Sequence, residues 1–408
     1  MFLFFNVLYE IILFQNCLIP FWGPIRYIDE VCILLLILMV IKSLFIRHRK
    51  KVLIKSEKKA IVLMIIFLII GLLGNFIYKI QYNNIAIFKD IIAISKFMIC
   101  YISALILSRN INKEYLLNKI QKRTVIYINI ITICALMNIV MDIGMGADIR
   151  YGVRSFSFLF THPTYLVSSV VIMLSVLIAA NKNKVINKIA IFESIIILVL
   201  TFRNKAFMII FAYIALKLYI KYYKKVKVRD IIPIIIVGLL ITYNKITEYF
   251  SWGLTAARPA LYIVGLELVK KYFPLGSGLG TFASSISGEY YSPLYYEYGI
   301  SNVWGLTPEK YNYMADTFWP YIYGQYGVSG FIIFIFIIIL IIKSLIYRYS
   351  DKNSLLAVMI IIVYILIAST AESIFTDVTG TFSFIVIATY LGKNNVMFKE
   401  NSETKTKI

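Results

Sequence analysis

A few charged side chains of this chain are spaced as a reactive set between long apolar runs. Arg150, Arg154 and His162 share the stretch "RYGVRSFSFLFTHPTYL" (150–166). Arg203 sits in "LVLTFRNKAF" (198–207), Arg258 near the start of "ARPALYIVGLELVKK" (257–271), and Asp316, Glu372 and Asp377 are the acids that accompany them. A guanidinium is a planar fork that matches phosphate oxygens, so two arginines can hold a diphosphate between them. A carboxylate or a neutral imidazole within hydrogen-bond reach of a hydroxyl can take its proton. The expected chemistry is a grip on an anionic leaving group with a base beside it. The plainer alternative is that each charge pairs with a neighbour or a lipid headgroup, which suits Arg150, Glu372 and Asp377 equally well. Arg203 and Arg258 fit it less well, because both stand at the entrance to hydrophobic helices, where charge is costly.

Such residues need elements to hold them, and composition names the class of element. Of 408 residues, 60% are hydrophobic and 15% charged, with mean hydropathy +0.80. A water-soluble core cannot absorb that much apolar surface, whereas a bilayer can. Runs able to cross about 30 Å of hydrocarbon, roughly 20 residues each, recur along the whole length. They are expected near 1–20, 28–46, 60–78, 87–108, 124–142, 163–181, 185–201, 204–222, 230–246, 322–346, 354–371 and 379–392. A β-barrel would show short alternating segments instead. The expected fold is all-α, a polytopic integral membrane protein of about twelve transmembrane helices. Residues 1–246 hold helices one to nine, 247–316 a large extracytoplasmic loop with a surface helix, 317–392 the last three helices, and 393–408 a cytoplasmic tail. The first run, interrupted by Glu10, Gln15 and Asn16, lacks a basic start and a small-residue cleavage site, so it reads as a retained anchor.

Charge sets the orientation. Lysine and arginine accumulate in loops that stay cytoplasmic. Most of the chain's 42 such residues fall in "RHRKKVLIKSEKK" (47–59), in 109–123, 182–188, 217–229 and 343–352, and in the tail. These segments lie on alternate sides of the expected helices, always the same side, so both termini are placed inside. The isoelectric point near 9.6 then reflects topology and contact with anionic lipid, and implies no nucleic acid. Arg150, Arg154, His162, Arg203, Arg258 and Asp316 all come out on the outer face.

The long outer loop has its own organisation. Pro259 suits a first helical position, and Leu261, Val264, Leu268 and Tyr272 recur at helical spacing, as a helix lying along a membrane surface would show. Pro274, Gly276, Gly278 and Gly280 end it. "GSGLGT" mimics a phosphate-binding glycine loop, but no lysine follows and no βαβ unit surrounds it, so it reads as a turn. His48 lies in a cytoplasmic basic run and reads as solvated. Cys17, Cys32, Cys100 and Cys134 fall within expected spans with no CxxC spacing, and read as small apolar fillers.

Three stretches in this order, "LTFRNKA" (200–206), "ARPALYIVGLELVKKYFPLGSGLGTF" (257–282) and "DTFWPYIYGQYGVSG" (316–330), carry a resemblance. With about twelve helices and a large outer loop before the last three, the chain resembles the O-antigen polymerase and O-antigen ligase superfamily of bacterial cell-surface polysaccharide enzymes. The resemblance implies a multi-pass glycosyltransferase of the bacterial cytoplasmic (inner) membrane. Its substrate is an undecaprenyl-diphosphate-linked oligosaccharide, its surroundings membrane lipid, and its partners a chain-length regulator and a flippase. The family's arginine after a helix matches Arg203, and the arginine heading the loop helix matches Arg258. Ligases place histidine followed by asparagine where this chain has Asp316 and Thr317, and that departure favours a polymerase.

On this reading Arg203 and Arg258 bind the diphosphate and stabilise charge developing on the leaving group. Asp316, or else His162, takes the proton from the acceptor hydroxyl. Arg150 and Arg154 bind and orient the glycan or a second phosphate. Tyr290 and Tyr291, with Tyr295 and Tyr296, offer flat faces for sugar rings, although an interfacial aromatic belt explains them nearly as well. No cofactor or metal is expected, because arginines can do the electrostatic work. Two rivals share much of this pattern. A ligase would pass the finished glycan to a lipid or protein acceptor with the same parts. A flippase or transporter should instead show internal repeats and broken spans in both halves, and neither is visible.

Overall fold

The computed structural model describes residues 1–46, 53–109, 111–150, 152–180, 185–223, 227–231, 233, 243–349 and 351–391. The expected span at 230–246 lies largely outside them, and His48 and the tail 393–408 lie wholly outside. Apolar runs become helices because a backbone in hydrocarbon has no water to bond, and a helix satisfies its internal N–H and C=O groups within one segment. The described helices are α1 (Phe2–Leu18), α2 (Ile28–Ile46), α3 (Lys55–Tyr78), α4 (Asn84–Ser108), α5 (Lys113–Met141), α6 (Pro163–Ala180), α7 (Val185–Leu200) and α8 (Asn204–Tyr222). Then come α9 (Tyr243–Ser251), α10 (Ala257–Lys271), α11 (Ser285–Glu289) and α12 (Pro293–Glu297), followed by α13 (Trp319–Arg348), α14 (Lys352–Ala368) and α15 (Val378–Thr389).

Five of these, α3, α4, α5, α6 and α13, are long and apolar enough to cross a membrane, and α1, α14 and α15 are apolar but shorter. That is the build of a membrane protein. Helices α2 and α8 coincide with the runs expected at 28–46 and 204–222. Helices α3 and α5 start earlier than expected, at Lys55 and Lys113, because the lysines and glutamates ahead of each apolar run are good helix formers and extend it outward. Helix α6 is buried almost all round and α14 nearly so, as central helices must be. Around them α14 packs on α6 and α8, α15 on α4, and α13 on α3. One face of α5 (Ile126, Ile130, Ile133, Val140) remains exposed, as suits contact with lipid.

The all-α expectation needs one correction. Gly146–Arg150 (β1) and Val153–Phe156 (β2) pair as an antiparallel hairpin, with Ile149 opposite Arg154. Gly152, at φ 78°, turns the chain without the steric cost a side chain would bring there. The stretch was too short and too mixed in polarity to show a period.

The outer-loop helix also differs from its expectation. Leu261, Val264 and Leu268 are buried, and α10 packs along α13, so the apolar stripe faces protein where a membrane surface was expected. Gly265 makes this close approach possible, since a Cβ there would meet the Tyr323 ring at 2.6 Å.

Beyond α10 the glycine run is a turn, as expected, but a buried one. Residues 276–283 are buried between α3, α4 and α13. Asn75 brackets Leu279, accepting from its N–H at 2.7 Å and donating to its carbonyl at 3.0 Å. The Gly280 N–H donates to Asp90 Oδ2 (2.8 Å) and Gln325 Oε1 (2.9 Å), while Gln81 Nε2 donates to the Gly280 carbonyl at 2.9 Å. Gln325 Nε2 closes the set on the Phe282 carbonyl at 2.6 Å. Non-helical backbone among helices is tolerated only when its polar groups are met in this way. Gly278 has φ 94°, and a Cβ there would lie 2.7 Å from the Asn75 backbone nitrogen. Helix α13 breaks where the loop docks, at Gly327 (φ 62°, ψ −164°).

Candidate functional site

Arg203 owes its position to a three-residue turn. Helix α7 stops at Leu200, Phe202 takes a left-handed backbone (φ 48°), and Arg203 is the N-cap residue of α8 in extended conformation. Its side chain is 7% exposed and its Nη2 donates to Asp148 Oδ1. Asp148 lies on β1 two residues before Arg150, at the register shift between Gly146 and Ile149, and the two side chains meet. Arg150 Nε donates to Asp148 Oδ2 at 2.8 Å, and Ser155 Oγ from β2 donates to Oδ1 at 2.9 Å. Burial pushes the Asp148 carboxyl up, but the bonds from Arg150 and Ser155 and the charge of Arg203 outweigh it and hold it well below the usual carboxylate range.

His162 stands within electrostatic range of Arg203, Asp148, Lys205 and Arg150. Burial and then the Arg203 charge push its imidazole below the ordinary value, which keeps the ring neutral near pH 7. Its Nδ1 accepts from the Thr164 N–H at 3.2 Å. The remaining ring nitrogen then carries the proton and can serve as a donor.

Two further ion pairs continue the row. Lys205, in the first turn of α8, donates to Glu372 Oε1 at 2.7 Å and lies over the Tyr364 ring, 5.6 Å from its centre. Arg258, in the first turn of α10, donates through Nη2 to Asp316 Oδ2 at 3.0 Å. The backbone around Asp316 is strapped to the link between α14 and α15: the Phe318 N–H donates to the Ser369 carbonyl, the Ser373 N–H to the Ala315 carbonyl, and Ser373 Oγ to the Thr317 carbonyl. The same link carries Glu372 and Asp377. Burial pushes the Asp316 carboxyl up, more than the Arg258 charge and hydrogen bond pull it down. Tyr165, in the first turn of α6, has Asp377, Glu372 and Asp316 as its charged neighbours. The row therefore runs Arg150, Asp148, Arg203, Lys205, Glu372, Asp316, Arg258, with His162 and Tyr165 beside it.

Within that row the arginines keep unused donors. The Nε atoms of Arg203 and Arg258 are buried and have no acceptor among the described residues. A buried donor left unmet is unfavourable by roughly 1–3 kcal/mol. Each of these Nε groups is such a donor, as is that of Arg123 on α5.

The structure brings Arg150, His162, Arg203, Arg258 and Asp316 together and leaves three other candidates apart. Arg154 lays its stem across Gly146 and pairs with Asp142 at 2.6 Å, both half-exposed. Tyr290 carries Lys89 over its ring at 4.9 Å, and Lys89 pairs with Glu289 at 2.5 Å. The Tyr291 hydroxyl donates to the Leu306 carbonyl at 2.6 Å, and its ring packs on Tyr295 and Tyr296. Tyr290 and Tyr291 lie in a separate patch beside Lys89 at the start of α4, and Arg154 lies on the hairpin. Sequence reasoning passed over Asp148 and Lys205. Asp148 could have been found from its offset of two from Arg150, had a strand been suspected. Lys205 stands two residues after Arg203 in "LTFRNKA", where the arginine is the stronger signal.

Fold and site together define a mostly helical membrane protein with a cationic row at one end of its bundle. Comparison with family profiles, with curated proteins and with solved structures yields no match for this chain.

Proposed function

We propose that this chain is a polysaccharide polymerase of O-antigen or capsule type, a membrane glycosyltransferase. It joins undecaprenyl-diphosphate-linked oligosaccharide repeats on the outer face of a bacterial cytoplasmic membrane. The loop charges support twelve spans with both termini inside, the ninth at 230–246. The observation that carries the reading is the pair Arg203 and Arg258, each held by one carboxylate and each with a buried Nε left open. Two forks of this kind suit the two phosphates of a lipid-linked donor.

The reaction needs no energy source beyond the donor. The acceptor sugar's hydroxyl oxygen forms a bond to the donor's anomeric carbon as the bond from that carbon to the diphosphate oxygen breaks. The bonding pair leaves with the diphosphate, whose growing negative charge Arg203 and Arg258 stabilise. The hydroxyl proton passes to Asp316, whose raised affinity for protons suits a base that must also release them. His162, a neutral donor, orients the glycan or phosphate in preference to acting as the base. Arg150 holds Asp148 and so tunes how readily Arg203 is released to substrate.

The test is the glycan made by a deletion strain carrying plasmid variants. Polymerase loss leaves single repeats on the carrier; full-length chains on undecaprenyl diphosphate would indicate a ligase, and precursors trapped inside a flippase. Arg203→Ala and Arg258→Ala should each give the single-repeat pattern with protein still in the membrane. Normal polysaccharide from both would sink the reading.

A further inference from the structure

Lys205 is the cation of the row that no role yet uses. Its side chain is 12% exposed while that of its partner Glu372 is 31% exposed, so the ammonium lies beneath its acid. Arg203 and Asp148 show the same order, with 7% against 46%. In each case the cation comes from the start of α8 and the acid from a different outer segment, the hairpin for Asp148 and the 369–377 link for Glu372. A structural pair would need that acid too, because a buried ammonium left without its counter-ion is costly. An acid placed at the rim can swing to water when a better anion arrives.

The charge count points the same way. A sugar diphosphate ester of a lipid carries two negative charges, and breaking the anomeric bond turns it into a monoester with a third. Arg203 and Arg258 match the first two. A further cation that engages the developing charge is worth more in the transition state than in the ground state, which raises the rate more than it tightens substrate binding.

We propose that Lys205 is a third diphosphate-binding cation, with Glu372 as its resting counter-ion, displaced when the lipid diphosphate binds. This rests on the reading of the row as a diphosphate site and adds to it both a residue and an exchange of partners. Lysine suits the task because its compact charge sits on a flexible stem and can follow a moving oxygen.

The test is binding of undecaprenyl diphosphate, in nanodiscs at pH 7, to the purified full-length protein. Lys205→Met should weaken it by about tenfold or more, the range for a lost charge-assisted bond. Glu372→Gln removes the competitor, so it should tighten binding by about threefold, the scale of a half-exposed ion pair. Lys205→Arg should retain most affinity, which keeps the test open if the methionine variant folds poorly. Lys89→Met, which disrupts the exposed pair with Glu289, should change nothing, and so controls for general charge. Opposite shifts for Lys205→Met and Glu372→Gln support the exchange. Equal weakening by both, or parental affinity in both, means the pair only ties α8 to the 369–377 link and overturns the proposal. If the parent protein does not bind the lipid diphosphate at all, the reading of the whole site falls. If the parent binds and Arg203→Ala alone weakens it, only the role of Lys205 falls.

Discussion

The docked glycine loop at 276–283 and the charged row from Arg150 to Arg258 both place polar groups among apolar helices, yet their partners differ in kind. In the dock the partners are neutral backbone groups met by Asn75, Gln81, Gln325 and one oxygen of Asp90. Each bond is local to its geometry, and the loop's glycines leave no room for anything else. In the row the partners are carboxylates on a hairpin and on loops, partly open to water, opposite cations of which Arg203 and Arg258 each keep an unmet donor. The dock's backbone groups are met by the chain's own side chains and stabilise one structure, although Asp90 Oδ1 has no partner among the described residues. A row whose acids are partly exposed is, on the proposed reading, free to trade them for a substrate. On that reading the difference separates polar groups that hold the fold from polar groups that receive a ligand.

The comparison is most exposed to failure at Asp316. Asparagine keeps the shape but cannot take a proton, and loss of a general base costs about a hundredfold to ten-thousandfold in rate. Asp316→Asn should therefore fold, bind lipid-linked substrate and scarcely extend chains, while Asp316→Glu keeps some activity. Chain formation per molecule of purified enzyme, with a synthetic lipid-linked repeat, decides it; activity within about threefold of the parent would remove Asp316 as base.

The same residue makes a prediction in pH. A base works ionised, so activity should be lost as pH falls through the Asp316 pKa, which burial has raised. Arg258 pulls that pKa down. Arg258→Gln should then move the acid limb of the rate profile to higher pH, besides lowering the maximum by about a hundredfold, the scale of one lost oxyanion donor. An unmoved limb would place the titrating group elsewhere.

The dock should respond the opposite way, in stability with little change in turnover. Asn75→Ala strands the N–H and the carbonyl of Leu279, at about 1–3 kcal/mol for each buried group. Gly278→Ala combines a left-handed backbone with a collision against Asn75 and should be worse. Thermal unfolding in detergent should show the loss, while the surviving folded molecules extend chains at near parental rates. A large drop in rate per folded molecule would make the dock part of the site.

The smallest effect is expected at Arg154. Its pairing with Asp142 is half-exposed, and such pairs are worth about 0–1 kcal/mol. Arg154→Ala should leave both stability and chain length close to the parent, and shortened chains would bring it back into the row.

Much of this was legible in one dimension. Long apolar runs have one way to satisfy their backbone in hydrocarbon, so the positions of α2, α6 and α8 followed from hydropathy alone. Arg203 and Arg258 were visible as charges at helix entrances, because a charge there demands a reason. The hairpin was not legible, since strands of four and five residues carry too few side chains to show a period. The direction of the α10 stripe was not legible either: an apolar face fits lipid and protein equally, and only the small surface of Gly265 beneath Tyr323 selects α13.

What the sequence determined by itself, then, is the class of molecule and the bias of its loops, because hydrophobic transfer and loop charge are properties of segments and add along the chain. Which acid faces which cation was decided only in three dimensions. Asp148 and Arg203 are joined by a hairpin fold, Lys205 and Glu372 by two helices crossing the bundle, and Arg258 and Asp316 by a loop whose middle is buried elsewhere. Ion pairs depend on distances between segments far apart in sequence, and the packing of α8, α10, α13 and α14 sets those distances.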